Sequence, residues 1–162
     1  MSAAAHLSRR AVVAGLAAAA ALPTPALAMR QPRVLFICRY ATVKSATARE
    51  LMRKRARERG VGVKVRSRGI TPVDHLPPAV RQRLISQFGI DPAAEHAQAL
   101  QQADLDRADV VVLFDRLPPS LHRIDALDWT DQPSLLEQFE PSMAYLEAHI
   151  EALLDRIASK HA

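Results

Sequence analysis

The sequence predicts a single α/β domain of three layers, a short parallel sheet of about four strands with helices on both faces. Three observations carry this. Two short segments, Val34–Ile37 and Asp109–Phe114, the second apolar from Val110 on, are bounded by polar residues, as strands buried on both faces are. The first run leads into a segment of helical period that stops at Gly60. Strand-like and helix-like segments then alternate to the end of the chain, which favours parallel pairing through crossovers. A length of 162 residues fits one such domain plus a small extra piece.

That extra piece is residues 1–28. Arg9 and Arg10 precede an uncharged run from Ala11 to Ala28, broken by Pro23 and Pro25 and closed by Ala26-Leu27-Ala28. A basic start, a short apolar stretch and a small-x-small end make a secretory signal. The run is too short and alanine-rich for a membrane span of about 20 strongly apolar residues. Ser8-Arg9-Arg10-Ala11-Val12-Val13 is similar to the twin-arginine export motif. The expectation is export to the periplasm with cleavage after Ala28, so that the membrane is met only through the signal. If Met29 is the true start, the protein is cytoplasmic instead. Of the 22 Lys and Arg and 17 Asp and Glu, the segment holds only Arg9 and Arg10, so residues 29–162 keep 20 basic against 17 acidic side chains. This mild excess does not argue for a nucleic-acid partner.

The remaining elements follow in order. Ser45 is placed to cap a helix to about Arg59, with Ala48, Leu51, Met52 and Ala56 on its apolar face and its many charges on a solvated one. Val61–Ser67 alternates like a strand, and Gly69 turns the chain. Pro77-Pro78 opens a helix to about Phe88, with Val80, Leu84, Ile85 and Phe88 as its buried stripe and Gly89 as its stop. Asp104-Leu105-Asp106 leads into the strand at Asp109–Phe114. A weaker strand is expected around Arg123–Leu127. A long helix after Pro141 carries Met143, Leu146, Ile150, Leu153, Leu154 and Ile157 at helical spacing.

Chemistry concentrates at Cys38, the only cysteine, which cannot form an internal disulfide. It is either buried filler or a reactive group. In a parallel sheet, ligands bind beyond the carboxyl ends of the strands, and Cys38 ends the first strand. The loop Arg39, Tyr40, Ala41, Thr42 and Val43 then reaches Lys44, Ser45 and a helix N-terminus. Free N–H groups and the helix dipole make such a place an anion site and stabilise a thiolate. The five histidines after residue 28 show no metal-ligand spacing, and no glycine-rich nucleotide loop occurs, so neither metal nor other cofactor is expected. Trp129 is read as packing or as an aromatic stacking near the site. Tyr40, within the loop, stacks on a ligand or shields the thiol.

From Arg33 to about Ile157 the chain resembles the low-molecular-weight protein tyrosine phosphatases and the related arsenate reductases. Their apolar strand, Cys, five loop residues, Arg, Ser and helix read here as Cys38, Arg39-Tyr40-Ala41-Thr42-Val43, Lys44 and Ser45. "VKVRSRGITP", "RLISQFGID", "ADLDRADVVVLFD" and "DWTDQPSLLEQF" resemble the family's second strand and turn, its Gly-Ile-Asp helix end, its approach to the third strand, and its Asp-Pro segment. The resemblance implies a low-molecular-weight phosphatase-like domain over 29–162. It implies Cys38 as nucleophile forming a cysteinyl-phosphate, Lys44 as the phosphate and transition-state charge, and Ser45 as thiolate support. Three positions depart. Lys44 stands for an arginine and lacks the planar fork. Ala41 stands for an asparagine that buttresses the loop. Gln132, not Asp, precedes Pro133, so the general acid falls to Asp131, with Asp128 as the fallback; Asp131 also reads as a turn aspartate.

The expected function is hydrolysis of phosphomonoesters, on a phosphorylated protein or a small molecule, attenuated by these departures. The alternative is a non-catalytic oxyanion-binding or interaction module. A third reading, arsenate reduction, requires an external thiol because no second cysteine resolves the intermediate.

Overall fold

In the computed structural model, which describes residues 30–161, four parallel strands lie in the order β2-β1-β3-β4. The predicted export signal lies outside the described residues. The strands are β1 (Arg33–Cys38), β2 (Lys64–Gly69), β3 (Val110–Leu113) and β4 (Leu127–Asp128). The helices are α1 (Lys44–Glu58), α2 (Pro78–Phe88), α3 (Gln102–Arg107) and α4 (Phe139–His161), with a 3-10 turn at Pro92–Ala94. Placing β1 in the centre explains its composition. Both of its faces are covered, so it is apolar from Val34 to Cys38 without alternation.

Side chains still alternate between the two covered faces. Val34, Phe36 and Cys38 point into the larger core, packed by Leu51 and Met52 of α1, Leu84 of α2 and the Met143–Ile157 stripe of α4. Leu35 and Ile37 point the other way, against Leu105 of α3 and Val111. Cys38 therefore shares a face with α1. All six expected apolar positions of α4 are buried.

Several boundaries differ from the sequence reading, each for a reason in the pairing. β2 begins at Lys64 because its ladder with β1 opens at Arg33↔Lys64, leaving Val61 and Gly62 no neighbour. β4 has two residues, Leu127 and Asp128, which pair with Val112 and Leu113 at the end of β3. The approach to β3 is itself a helix, α3, closed by reciprocal bonds between Gln101 and Asp104. α4 starts at Phe139, so Pro141 lies in its first turn, where its missing N–H has no intrahelical partner to lose. α2 buries Leu84 and partly buries Val80 and Phe88, while Ile85 is exposed. The i, i+4, i+8 row packs, and its neighbour does not.

Arg49 also departs from the reading of the α1 charges as a solvated face. Its side chain is 1% exposed. The guanidinium donates to Ser67 Oγ at 2.8 Å, the Pro92 carbonyl at 2.9 Å and Glu50 Oε1 at 2.7 Å. A buried cation is tolerated when its donors are satisfied. This one ties α1 to β2 and to the turn at Pro92.

Candidate active site

The parallel register brings the site together. Cys38 pairs with Gly69 at the end of β2, and Ile37 pairs with Leu113, so the loops after β1, β2 and β3 leave the sheet side by side. The loop after Cys38 is held from both flanks. Ile70, Thr71 and Val73 donate backbone N–H groups to the carbonyls of Cys38, Arg39 and Tyr40 at 3.1, 2.7 and 3.0 Å. On the other side, Arg39 N–H donates to Asp115 Oδ2 at 2.9 Å. Thr42 Oγ1 donates to the carbonyls of Tyr40, at 3.0 Å, and Val73.

Within this frame Ala41 has φ 59°, the left-handed region. An alanine there costs about 1–2 kcal/mol. Three backbone hydrogen bonds at about 0.5–1.5 kcal/mol each outweigh that cost, so the loop keeps its shape without an asparagine. Gly69 makes the close approach possible. A Cβ at that position would sit 2.9 Å from both the Cβ and the N of Ala41.

The loop ends at α1, whose first residue is Lys44. Val43 is the cap residue, without a side-chain hydrogen bond, so Ser45 does not cap the helix as the sequence suggested. Its hydroxyl is fully buried and lies 3.0 Å from Cys38 Sγ. The first turn of α1 has no acidic side chain, so nothing within the helix offsets the positive end of its dipole. Lys44 has no ion-pair partner among the described residues and lines a cleft of about 220 Å³ with Cys38, Tyr40, Val43, Asp115 and Leu135. Tyr40 is half exposed at the rim. A thiol at the floor, a serine behind it, and a cation and helix N-terminus beside it can hold a tetrahedral oxyanion against sulfur.

The acids lie differently from the thiol. Asp131 accepts a hydrogen bond from Tyr145 Oη at 2.6 Å. Burial, then that bond to Asp131, holds the Tyr145 phenol protonated well above its ordinary range. The exposed Asp128 carboxylate is held below its ordinary range by the Thr130 side chain and then by Thr130 N–H, at 2.9 Å. Neither side chain lines the cleft; the carboxylate that does is Asp115. The sequence reading missed Asp115, although its signal was available. It follows directly on β3, whose carboxyl end must lie beside that of β1 in a parallel sheet. Trp129 is buried among Phe36, Phe114 and Tyr145, so it packs the core and does not stack at the site.

Gln132 is 4% exposed, and its Nε2 donates to Ser142 Oγ of α4 at 2.5 Å. Gln132→Asp is expected to lower stability by about 1–3 kcal/mol, since the shorter side chain loses that bond and buries a carboxylate. A drop in the urea midpoint, with no gain in aryl phosphate turnover, is the expected result. Unchanged stability would mean that the side chain turns out to solvent.

The fold recurs in solved structures. YfkJ from Bacillus subtilis superposes with a TM-score of 0.69 at 20% identity, covering 82% of this chain and 98% of that one. A low-molecular-weight protein tyrosine phosphatase from T. tengcongensis gives 0.60 at 19% identity, covering 80% and 99%. A thioredoxin-dependent arsenate reductase from Corynebacterium glutamicum gives 0.61 at 23%, covering 83% of this chain and 65% of that one. No curated protein sequence matches significantly. The family model described as "Low molecular weight phosphotyrosine protein phosphatase" matches residues 33–151, from the strand that presents the thiol well into α4, and the chain belongs to that family.

Proposed function

We propose that this domain binds a phosphate-type oxyanion over Cys38–Ser45 and hydrolyses phosphomonoesters, on phosphorylated proteins or small molecules. The observation that carries this is Cys38 Sγ, 3.0 Å from Ser45 Oγ, beside Lys44 at the start of α1. Sulfur attacks phosphorus as the ester P–O bond breaks, and the leaving oxygen takes its proton from solvent water. Water then attacks phosphorus, releasing phosphate and restoring the thiolate. Lys44 supplies charge without a fork, and Asp131 is engaged by Tyr145. Turnover is therefore attenuated, on the order of a thousandfold below a site with both arginine and acid in place. The test is alkylation of Cys38 by iodoacetamide, which phosphate or vanadate should slow. Labelling indifferent to both anions would make Cys38 a structural cysteine.

The same positions of Gln132 and Asp131 favour a second reading, a domain that binds the oxyanion without turning it over. Protection of Cys38 without any hydrolysis that depends on it would select this reading. Arsenate reduction, suggested by the reductases that share the fold, requires an external thiol here. Export belongs to the same proposal. The twin-arginine pattern and Ala26-Leu27-Ala28 support a periplasmic protein beginning at Met29. N-terminal sequencing of exported material checks it, and residues 1–28 found intact would refute cleavage.

A further inference from the structure

The geometry points to a second binding site, for an extended acidic peptide, at the end of the sheet opposite Cys38. The exposed face of β2 carries Lys64 and Arg66, two residues apart and so on one side of the strand. Across from them stands Arg107, in the last turn of α3. The three cations and Arg33 wall a cleft of about 270 Å³ whose floor is closed by Leu35 and Ala108. Arg33 lies about five residues back along β1 from Cys38, or roughly 17 Å at the rise of a strand. This cleft is therefore separate from the one over the thiol.

Of the four cations around the cleft, Arg33 meets Asp109 at 3.5 Å and the other three stand without a carboxylate among the described residues. Arg53, Arg55, Arg59, Arg81, Arg83 and Arg123 each meet a carboxylate. Among the described residues Lys64, Arg66 and Arg107 have no ion-pair partner. The one acid in the cleft, Asp104, is taken by Arg68 Nε at 3.2 Å. Like charges brought together in a concavity repel one another, and they focus a field that attracts an anion.

The spacing selects the kind of anion. Lys64 and Arg66 stand about 6.6 Å apart along the strand, and an extended peptide sets alternate side chains at the same interval. Acidic residues at every second position thus match the two cations one to one, with Arg107 closing from the other wall. No aromatic side chain lines the cleft to stack a base. A flat bilayer would meet only its rim. The role of the site rests on the phosphatase reading. It holds an acidic run of a phosphorylated protein, at least about five residues from the phosphate in the Cys38 cleft.

Calorimetric titration of the full chain with a peptide of alternating aspartate and glycine tests binding without any turnover. Saturable 1:1 binding is expected, absent with the asparagine counterpart. It should weaken about tenfold or more in the Lys64→Glu/Arg66→Glu double variant, whose substitutions lie on the surface. Equal binding of the asparagine peptide, or undiminished binding by the variant, overturns the site. So does tighter capture, through the same residues, of oligothymidylate or of phosphatidylglycerol vesicles. For a phosphopeptide carrying the acidic run, the variant should raise KM with kcat unchanged, while hydrolysis of a small aryl phosphate is unaltered. Peptide binding by a chain that hydrolyses nothing keeps the site and refutes the catalytic reading alone.

Discussion

Cys38→Ser is expected to abolish phosphomonoester hydrolysis, by on the order of 10⁴-fold or more, while leaving oxyanion binding in place. The asymmetry follows from what each part contributes. The backbone of the loop and the start of α1 stay as they are, since Ile70, Thr71, Val73 and Asp115 hold the loop through backbone groups that the substitution does not touch. A hydroxyl in place of the thiol is a much weaker nucleophile at neutral pH, and Ser45 Oγ, 3.0 Å from the sulfur, is no general base. Turnover of an aryl phosphate and calorimetric binding of inorganic phosphate, measured on the same preparation, separate the two effects. Hydrolysis that survives the substitution would place the chemistry elsewhere. Loss of phosphate binding would mean that the sulfur itself holds the anion.

Lys44→Arg is expected to raise kcat/KM for an aryl phosphate by about 10- to 100-fold, which corresponds to about 1.4–2.7 kcal/mol of transition-state stabilisation. A planar guanidinium can donate two parallel hydrogen bonds to equatorial phosphoryl oxygens, where an ammonium acts as a point charge. The position suits the exchange. Lys44 already lines the cleft beside Cys38 and is held by no carboxylate among the described residues. The gain should appear chiefly in kcat, because the fork fits the spread charge of the transition state better than the ground state. If Lys44→Arg tightens phosphate binding and leaves turnover unchanged, then charge at this position serves binding alone, and the non-catalytic reading gains.

The layered architecture and the position of the thiol were legible in the sequence by itself. Apolar runs such as Val34–Ile37 mark strands buried on both faces, and the stripe from Met143 to Ile157 has a helical period, because those patterns follow from local geometry. Lone Cys38, between a strand and a helix, was legible for the same reason. What depends on contacts between distant segments was decided only by the tertiary structure. Ala41 can hold a left-handed conformation because residues 70–73, far along the chain, bond the loop around it. Arg49 lies on a helix that reads as solvated, yet Ser67 and Pro92 close over it. Asp115 rather than Asp131 enters the Cys38 cleft, because the register of β3 on β1 brings the end of one strand beside the end of the other. A sequence pattern shows which side chains share a face. Which residues stand opposite that face is set by pairing and packing, whose long-range partners leave no local periodicity to read.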